Sequence, residues 1–96
     1  MKPGATIKIL KPAATVRGRL YIKAGELLKK HNIEHNLFLF RLTPGIIFEI
    51  KALDCGCFYL IQHDEHCQEA FRRRLSLEQL EGQIAALRHM YPLRNP

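Results

Sequence analysis

Five side chains with metal-ligating chemistry crowd into residues 55–67: Cys55, Cys57, His63, His66 and Cys67. Tetrahedral zinc takes four thiolate or imidazole ligands, and mixed cysteine–histidine sets are common. Cys-x-Cys sets two sulfurs on one face of a strand, and His63, His66 and Cys67 share a face if their stretch is helical. The spacing, however, matches none of the established zinc motifs. Cys57 reads equally well as a small buried apolar side chain. No cofactor is therefore expected, and a structural zinc is the secondary reading. A second cluster, His31, Glu34 and His35 beside Lys29 and Lys30, holds the residue types of acid–base phosphodiester cleavage. Any basic helix–turn segment can carry such a set, so no catalytic residue is assigned and the chain is not expected to be an enzyme.

Charge placement is the stronger signal. The formal net charge is +6. Residues 1–30 hold Lys2, Lys8, Lys11, Arg17, Arg19, Lys23, Lys29 and Lys30 against Glu26 alone, whereas residues 31–96 hold seven basic and eight acidic groups. A positive field concentrated in this way favours a polyanion, DNA or RNA, over a membrane surface. The candidate contacts are Lys8, Lys11, Arg17, Arg19, Tyr21, Lys23, Lys29 and Lys30. Arg72, Arg73 and Arg74 form a further basic run, but Asp64, Glu65 and Glu69 balance it locally and a solvated helix face accounts for it.

The elements that must position these residues follow from periodicity. Thr6–Leu10 alternates and reads as a short strand. Val16–Lys23 also alternates, with Val16, Gly18, Leu20 and Ile22 on one face and Arg17, Arg19, Tyr21 and Lys23 on the other, so it reads as a strand that lays cations along phosphates. Ala24–Asn32 reads as a short helix ending on Asn32 in the left-handed conformation. Leu37–Leu42 and Ile46–Ala52 read as a hairpin around the turn Thr43-Pro44-Gly45. Cys57–Gln62 reads as another strand and His63–Arg74 as a helix. Ser76 and Gln79 form a capping-box pattern for a final helix, along which Leu77, Leu80, Ile84, Leu87 and Tyr91 recur as a seam over two heptads.

Ninety-six residues make one domain. No apolar run approaches the roughly 20 residues that span a bilayer, so no membrane association is expected. Met1–Leu20 shows no secretory signal. Three cysteines do not make a disulfide framework and suit a reducing, cytoplasmic setting. Leu37–Leu42 is almost wholly apolar, which in so short a chain points to a second subunit covering one face. Leu37, Leu39, Leu77, Leu80, Ile84 and Leu87 are therefore the candidate homodimer interface.

The order of features from residue 6 to residue 52 resembles the SpoVT/AbrB superfamily of swapped-hairpin DNA-binding proteins. The resemblance rests on Gly18-Arg19-Leu20-Tyr21-Ile22, then Glu26 to Ile33, then Leu37 to Ile50 around Gly45. Within that group Gly25 to Ile33 is most similar to a segment of SymE-like toxins. Lys23 stands where a proline is usual, and Asn32 and Leu27 replace the usual glycine and tryptophan. The resemblance implies an obligate dimer with interleaved strands and DNA contact through Arg17 and Arg19, with Lys8, Lys11 and Lys23 as neighbours. It implies a transcriptional regulator or a SymE-like toxin.

The expected architecture is α+β: a small swapped-hairpin-like β-barrel or sheet core over 6–52 with a short helix, an extra strand over 53–62, and a helical extension over 63–91. The expected function is binding of DNA, or RNA, through the basic N-terminal strand face. The alternative is a protein-interaction module that dimerises or binds a protein partner through residues 76–91, with zinc as a possible staple.

Overall fold

The computed structural model describes residues 15–66 and 68–92. The expected strand Thr6–Leu10, with Lys8 and Lys11, lies outside them. The architecture is α+β. Helix α1 (Val16–Lys30) is followed by strands β1 (Leu39–Thr43), β2 (Ile46–Ala52), β3 (Phe58–His63) and β4 (Glu69–Leu75), and then by helix α2 (Leu77–Met90). The strands form one antiparallel sheet in sequential order.

Val16–Lys23 is helical, which corrects the strand reading and places the Gly18–Ile22 segment of the family resemblance on a helix. Thr15 caps α1, its hydroxyl accepting from the Gly18 N–H at 2.8 Å. Ala24 and Leu28 are fully buried, with Leu20, Tyr21 and Leu27 partly buried beside them, so the buried stripe follows the helical spacing of four and three. Two residues of the supposed inward strand face, Val16 and Ile22, are 42% and 44% exposed. The alternation was a coincidence of a basic helix with scattered apolar positions. The C-terminus of α1 behaves as its sequence predicts. Asn32 has φ +58, its N–H bonds the Lys29 carbonyl, and the Ile33 N–H reaches back to the Leu28 carbonyl at 2.8 Å. This is the double bond pattern of a Schellman cap, and it draws Ile33 into the core.

The β1–β2 hairpin forms with Gly45 at φ +83 in its turn, but its first strand begins at Leu39 and not at Leu37. A second, tighter turn precedes it. Asn36 and Leu39 exchange backbone hydrogen bonds at 2.9 and 3.0 Å, and the two residues between them, Leu37 and Phe38, both have positive φ (+52 and +63). Turns of this kind favour Asn and Gly, so Leu-Phe holds them under strain of about 1–2 kcal/mol per residue. Phe38 is anchored by its ring, 4.8 Å from both Tyr21 and His35, while Leu37 is 84% exposed.

The stretch His63–Arg74, read as a helix, is instead the end of β3, a loop and β4. Asp64 organises the loop: its Oδ1 accepts from the N–H groups of His66 and Gln68, both at 2.9 Å. The mixed charges that suggested helical pairing do include an i,i+3 ion pair, Glu69–Arg72. It forms on a strand because the register shifts between Gln62 and His63, which brings Glu69 and Arg72 to the same side.

Both helices pack on one face of the sheet. Phe40, Phe48, Ile50, Ala52, Phe58, Leu60 and Leu75 point into the core with Ala24, Leu28, Leu80 and Ile84. The final helix carries the predicted capping box in full: Ser76 accepts from the Gln79 N–H, and the Gln79 side chain accepts from the Ser76 N–H at 2.9 Å. Arg88, not singled out in the sequence, ties the helix ends together. It donates to the carbonyls of His31 at 2.9 Å, Asn32 at 2.8 Å and Tyr91 at 3.0 Å. No helix among the described residues is long and apolar enough to cross a membrane.

Candidate nucleic-acid interface

The sheet has a second face, and among the described residues neither helix covers it. Its cross-strand neighbours are set by register. One row is Lys51, Tyr59 and Arg74; the next is Leu39, Glu49, Ile61 and Arg72; the third is Ile47, His63 and Glu69. Ile61 is only 3% exposed although it lies outside the main core, and its partners in register on this face are Glu49 and Arg72. The result is a polar surface with an apolar floor.

The polar groups on this face are organised. Arg72 makes two hydrogen bonds to Glu69, both 2.7 Å, and its guanidinium carbon lies 4.7 Å from the centre of the Tyr59 ring. The Arg72 guanidinium therefore holds the Glu69 carboxyl below the usual carboxylate range, and Glu69 in turn raises the pKa of Arg72. His63 Nε2 and Glu49 Oε1 are 2.9 Å apart. Lys51 and Arg74 flank Tyr59 and, among the described residues, take part in no salt bridge. The depressed Glu69 carboxyl has a pH consequence. The folded pKa is below the unfolded one, so its contribution to stability is present above the ordinary carboxylate range and is lost as pH falls through the depressed value. In an NMR titration the Glu69 carboxyl is expected to titrate below an ordinary glutamate and to return to the ordinary range in Arg72→Ala.

The residues proposed from sequence are distributed differently. Arg19, Lys23, Lys29 and Lys30 lie on the exposed side of α1 together with Glu26, and Lys30 pairs with Glu81 of α2 at 3.1 Å. Arg17 pairs with Asp54, in the β2–β3 turn, at 3.1 Å. Tyr21 is half-buried against Phe38 and serves packing. The cations of α1 are thus a stripe on a helix on the far side from the open sheet face, not a row on a strand.

Among the apolar candidates, Leu80 and Ile84 are fully buried and Leu77 and Leu87 pack against the same core, so the α2 seam faces this chain's own sheet. Leu37 and Leu39 remain exposed, at 84% and 42%. The metal candidates are separated by the length of β3: Cys55 and Cys57 precede it, whereas His63 ends it and His66 follows; Cys67 lies outside the described residues. No three potential ligands converge among the described residues. The His35 ring accepts from the Phe38 N–H and stacks on the Phe38 ring, so it is engaged in the fold, whereas His31 contributes its backbone carbonyl to Arg88. Tyr59, Lys51, Arg72 and Arg74 were not identified from sequence as one site. The signal that could have found them is the alternation Tyr59–Ile61–His63 with Arg72 and Arg74 at matching parity on the next strand.

Comparison with protein-family models, with curated proteins and with solved structures finds no match to this chain.

Proposed function

We propose that the chain binds single-stranded nucleic acid on the sheet face opposite its two described helices. The observation that carries this reading is the row Lys51–Tyr59–Arg74, an aromatic ring between two cations, with Arg72 over the same ring. A sheet face that presents an aromatic ring with a guanidinium over it can stack a base on that pair, while cations at either side meet the phosphates. The basic side of α1 adds a long-range field that speeds association without selecting sequence. We place the chain in the cytoplasm, where its free thiols stay reduced.

The test is fluorescence anisotropy with labelled single-stranded RNA, single-stranded DNA and duplex DNA over a salt series. Single strands should bind more tightly than duplex, with log affinity falling linearly in log salt. Tighter binding of duplex, lost on changing Arg19 and Lys23 to alanine, would move the interface to α1. Tyr59→Ala should weaken single-strand binding by about 1–3 kcal/mol, whereas Tyr59→Phe, which keeps the ring, should retain it.

A second reading concerns assembly. Leu37 and Leu39 are exposed at the β1 edge of the sheet, and the former sits on a strained turn. Backbone strain of this kind is tolerated where it presents a contact. A homodimer through β1, of which a swapped hairpin is one form, would bury both residues. Leu37→Asn is then expected to raise protomer stability by about 1 kcal/mol, since Asn tolerates positive φ, and to shift the mass in solution toward monomer. An unchanged mass with the variant removes Leu37 from any interface.

A further inference from the structure

The β2–β3 turn carries Cys55-Gly56-Cys57, which the nucleic-acid reading does not use. Backbone hydrogen bonds close the turn. The Leu53 N–H donates to the Cys57 carbonyl at 2.8 Å, the Gly56 N–H donates to the Leu53 carbonyl at 3.1 Å, and Gly56 takes φ +93. Ala52 and Phe58 pair directly behind it. This geometry holds two cysteines on either side of one glycine at the tip of a hairpin, Cys55 exposed and Cys57 half-buried, both free thiols.

The surroundings favour a thiolate at Cys55. The Cys57 N–H and thiol, its neighbours in the turn, and the positive charge of Arg74 on the neighbouring strand hold the Cys55 thiol below its usual range against an opposing effect of desolvation. The adjacent carboxylate, Asp54, would oppose a thiolate, but its charge is met by Arg17 at 3.1 Å. An exposed cysteine contributes no burial, and the position before a left-handed glycine in a turn is one that Asn or Asp usually fills. Packing and turn formation thus leave Cys55 unexplained, whereas dithiol chemistry uses both cysteines.

We propose that Cys55 and Cys57 are a redox-active dithiol that exchanges with small-molecule disulfides, Cys55 as the attacking thiolate and Cys57 as the resolving thiol. In the first step Cys55 Sγ attacks one sulfur of the disulfide RS–SR. A Cys55–SR bond forms, the RS–SR bond breaks, and the departing thiolate takes a proton from water. In the second step Cys57 loses its proton to water and attacks Cys55 Sγ. The Cys55–Cys57 bond forms and the second RS⁻ leaves. Two protein thiols are oxidised and one disulfide is reduced to two thiols. A bond between cysteines one residue apart, on an exposed turn, belongs to the labile rather than the structural class, so it returns readily to the dithiol when thiol is supplied.

The experiment uses the full chain with Cys67→Ser, so that only these two thiols report. Reduced protein is mixed with oxidised glutathione and followed by intact mass and peptide mapping, with circular dichroism as the check on folding. The expected product has lost two hydrogens, with Cys55 and Cys57 joined, and excess reduced glutathione reverses it. Adding Cys57→Ser should trap a glutathione adduct at Cys55. Iodoacetamide at neutral pH should modify Cys55 in that variant on the order of tenfold faster than it modifies Cys57 in the matching Cys55→Ser variant. A stable glutathione adduct with both cysteines present, or equal alkylation rates in the two single-cysteine proteins, would overturn the proposal. Nucleic-acid affinity plays no part in these readouts, so the outcome is independent of the reading above.

Discussion

Changing Lys51 and Arg74 together to alanine is expected to lower the affinity for a single-stranded oligonucleotide by about 100-fold near 0.1 M salt. A hydrogen bond to a charged group contributes about 1.5–3 kcal/mol, and about 1.4 kcal/mol is tenfold in affinity. Two lost phosphate contacts should also flatten the salt dependence, since each contributes about 0.7 to the log–log slope for a single strand. Arg72 acts differently from these two. Arg74 stands beside Tyr59 in register and takes part in no salt bridge among the described residues, so Arg74→Ala reports phosphate contact directly. Arg72 is held by Glu69 and lies over Tyr59, so its loss also frees a carboxylate and uncovers the ring. Glu69→Gln separates these effects: it releases Arg72 without removing it and should raise affinity severalfold. Lys51, Glu69, Arg72 and Arg74 are all exposed, so thermal unfolding should change little and the affinity loss cannot be charged to misfolding.

Arg88→Ala is expected to destabilise the fold by about 2–4 kcal/mol, read as a fall of roughly 10–20 °C in unfolding temperature for a domain of this size. The basis is geometric. Its guanidinium donates to two carbonyls at the end of α1 and to one at the end of α2. Removing it leaves carbonyls at two helix ends without their cap and loosens the contact between the helices. Lysine, a single ammonium with no planar fork, cannot reach all three acceptors and should recover only part of the loss. Nucleic-acid binding at saturating protein should survive in Arg88→Ala below its unfolding temperature, because the sheet face is remote from this clamp.

The parts of the fold that were legible in the sequence are those governed by short-range signals. Ser76 with Gln79 announces α2, Asn32 ends α1, and Gly45 turns β1 into β2. The extent of β2, Ile46–Ala52, matches its apolar and β-branched composition. Where the signal was a period, it misled twice. Val16–Lys23 satisfies an alternation by chance, while the Thr15 cap and the spacing Leu20–Ala24–Leu28 carry the true helical pattern. In β4 the acidic and basic residues spaced for helical pairing sit on a strand with a register shift, and every residue except Leu75 is exposed, so hydrophobic pattern offers no guide. The candidate site was less legible still. Tyr59, Lys51 and Arg74 become neighbours only through the pairing of three strands, and the Glu69–Arg72 pair depends on the shift at His63. Local charge counting gave weight to the first thirty residues and treated the arginine run as balanced. In the fold one of the three compensating acids, Glu69, grips one arginine, and Arg74 keeps its charge for the open face.

The most direct test of the central claim is an NMR titration of the isotope-labelled full chain with a short single-stranded RNA, following backbone amides and arginine side chains. Shifts are expected to concentrate at Lys51, Tyr59, Ile61, Arg72 and Arg74, with small changes along α1 that fade as salt is raised. Shifts confined to α1 around Arg19 and Lys23, or no shifts on β3 and β4 at saturating RNA, would contradict it.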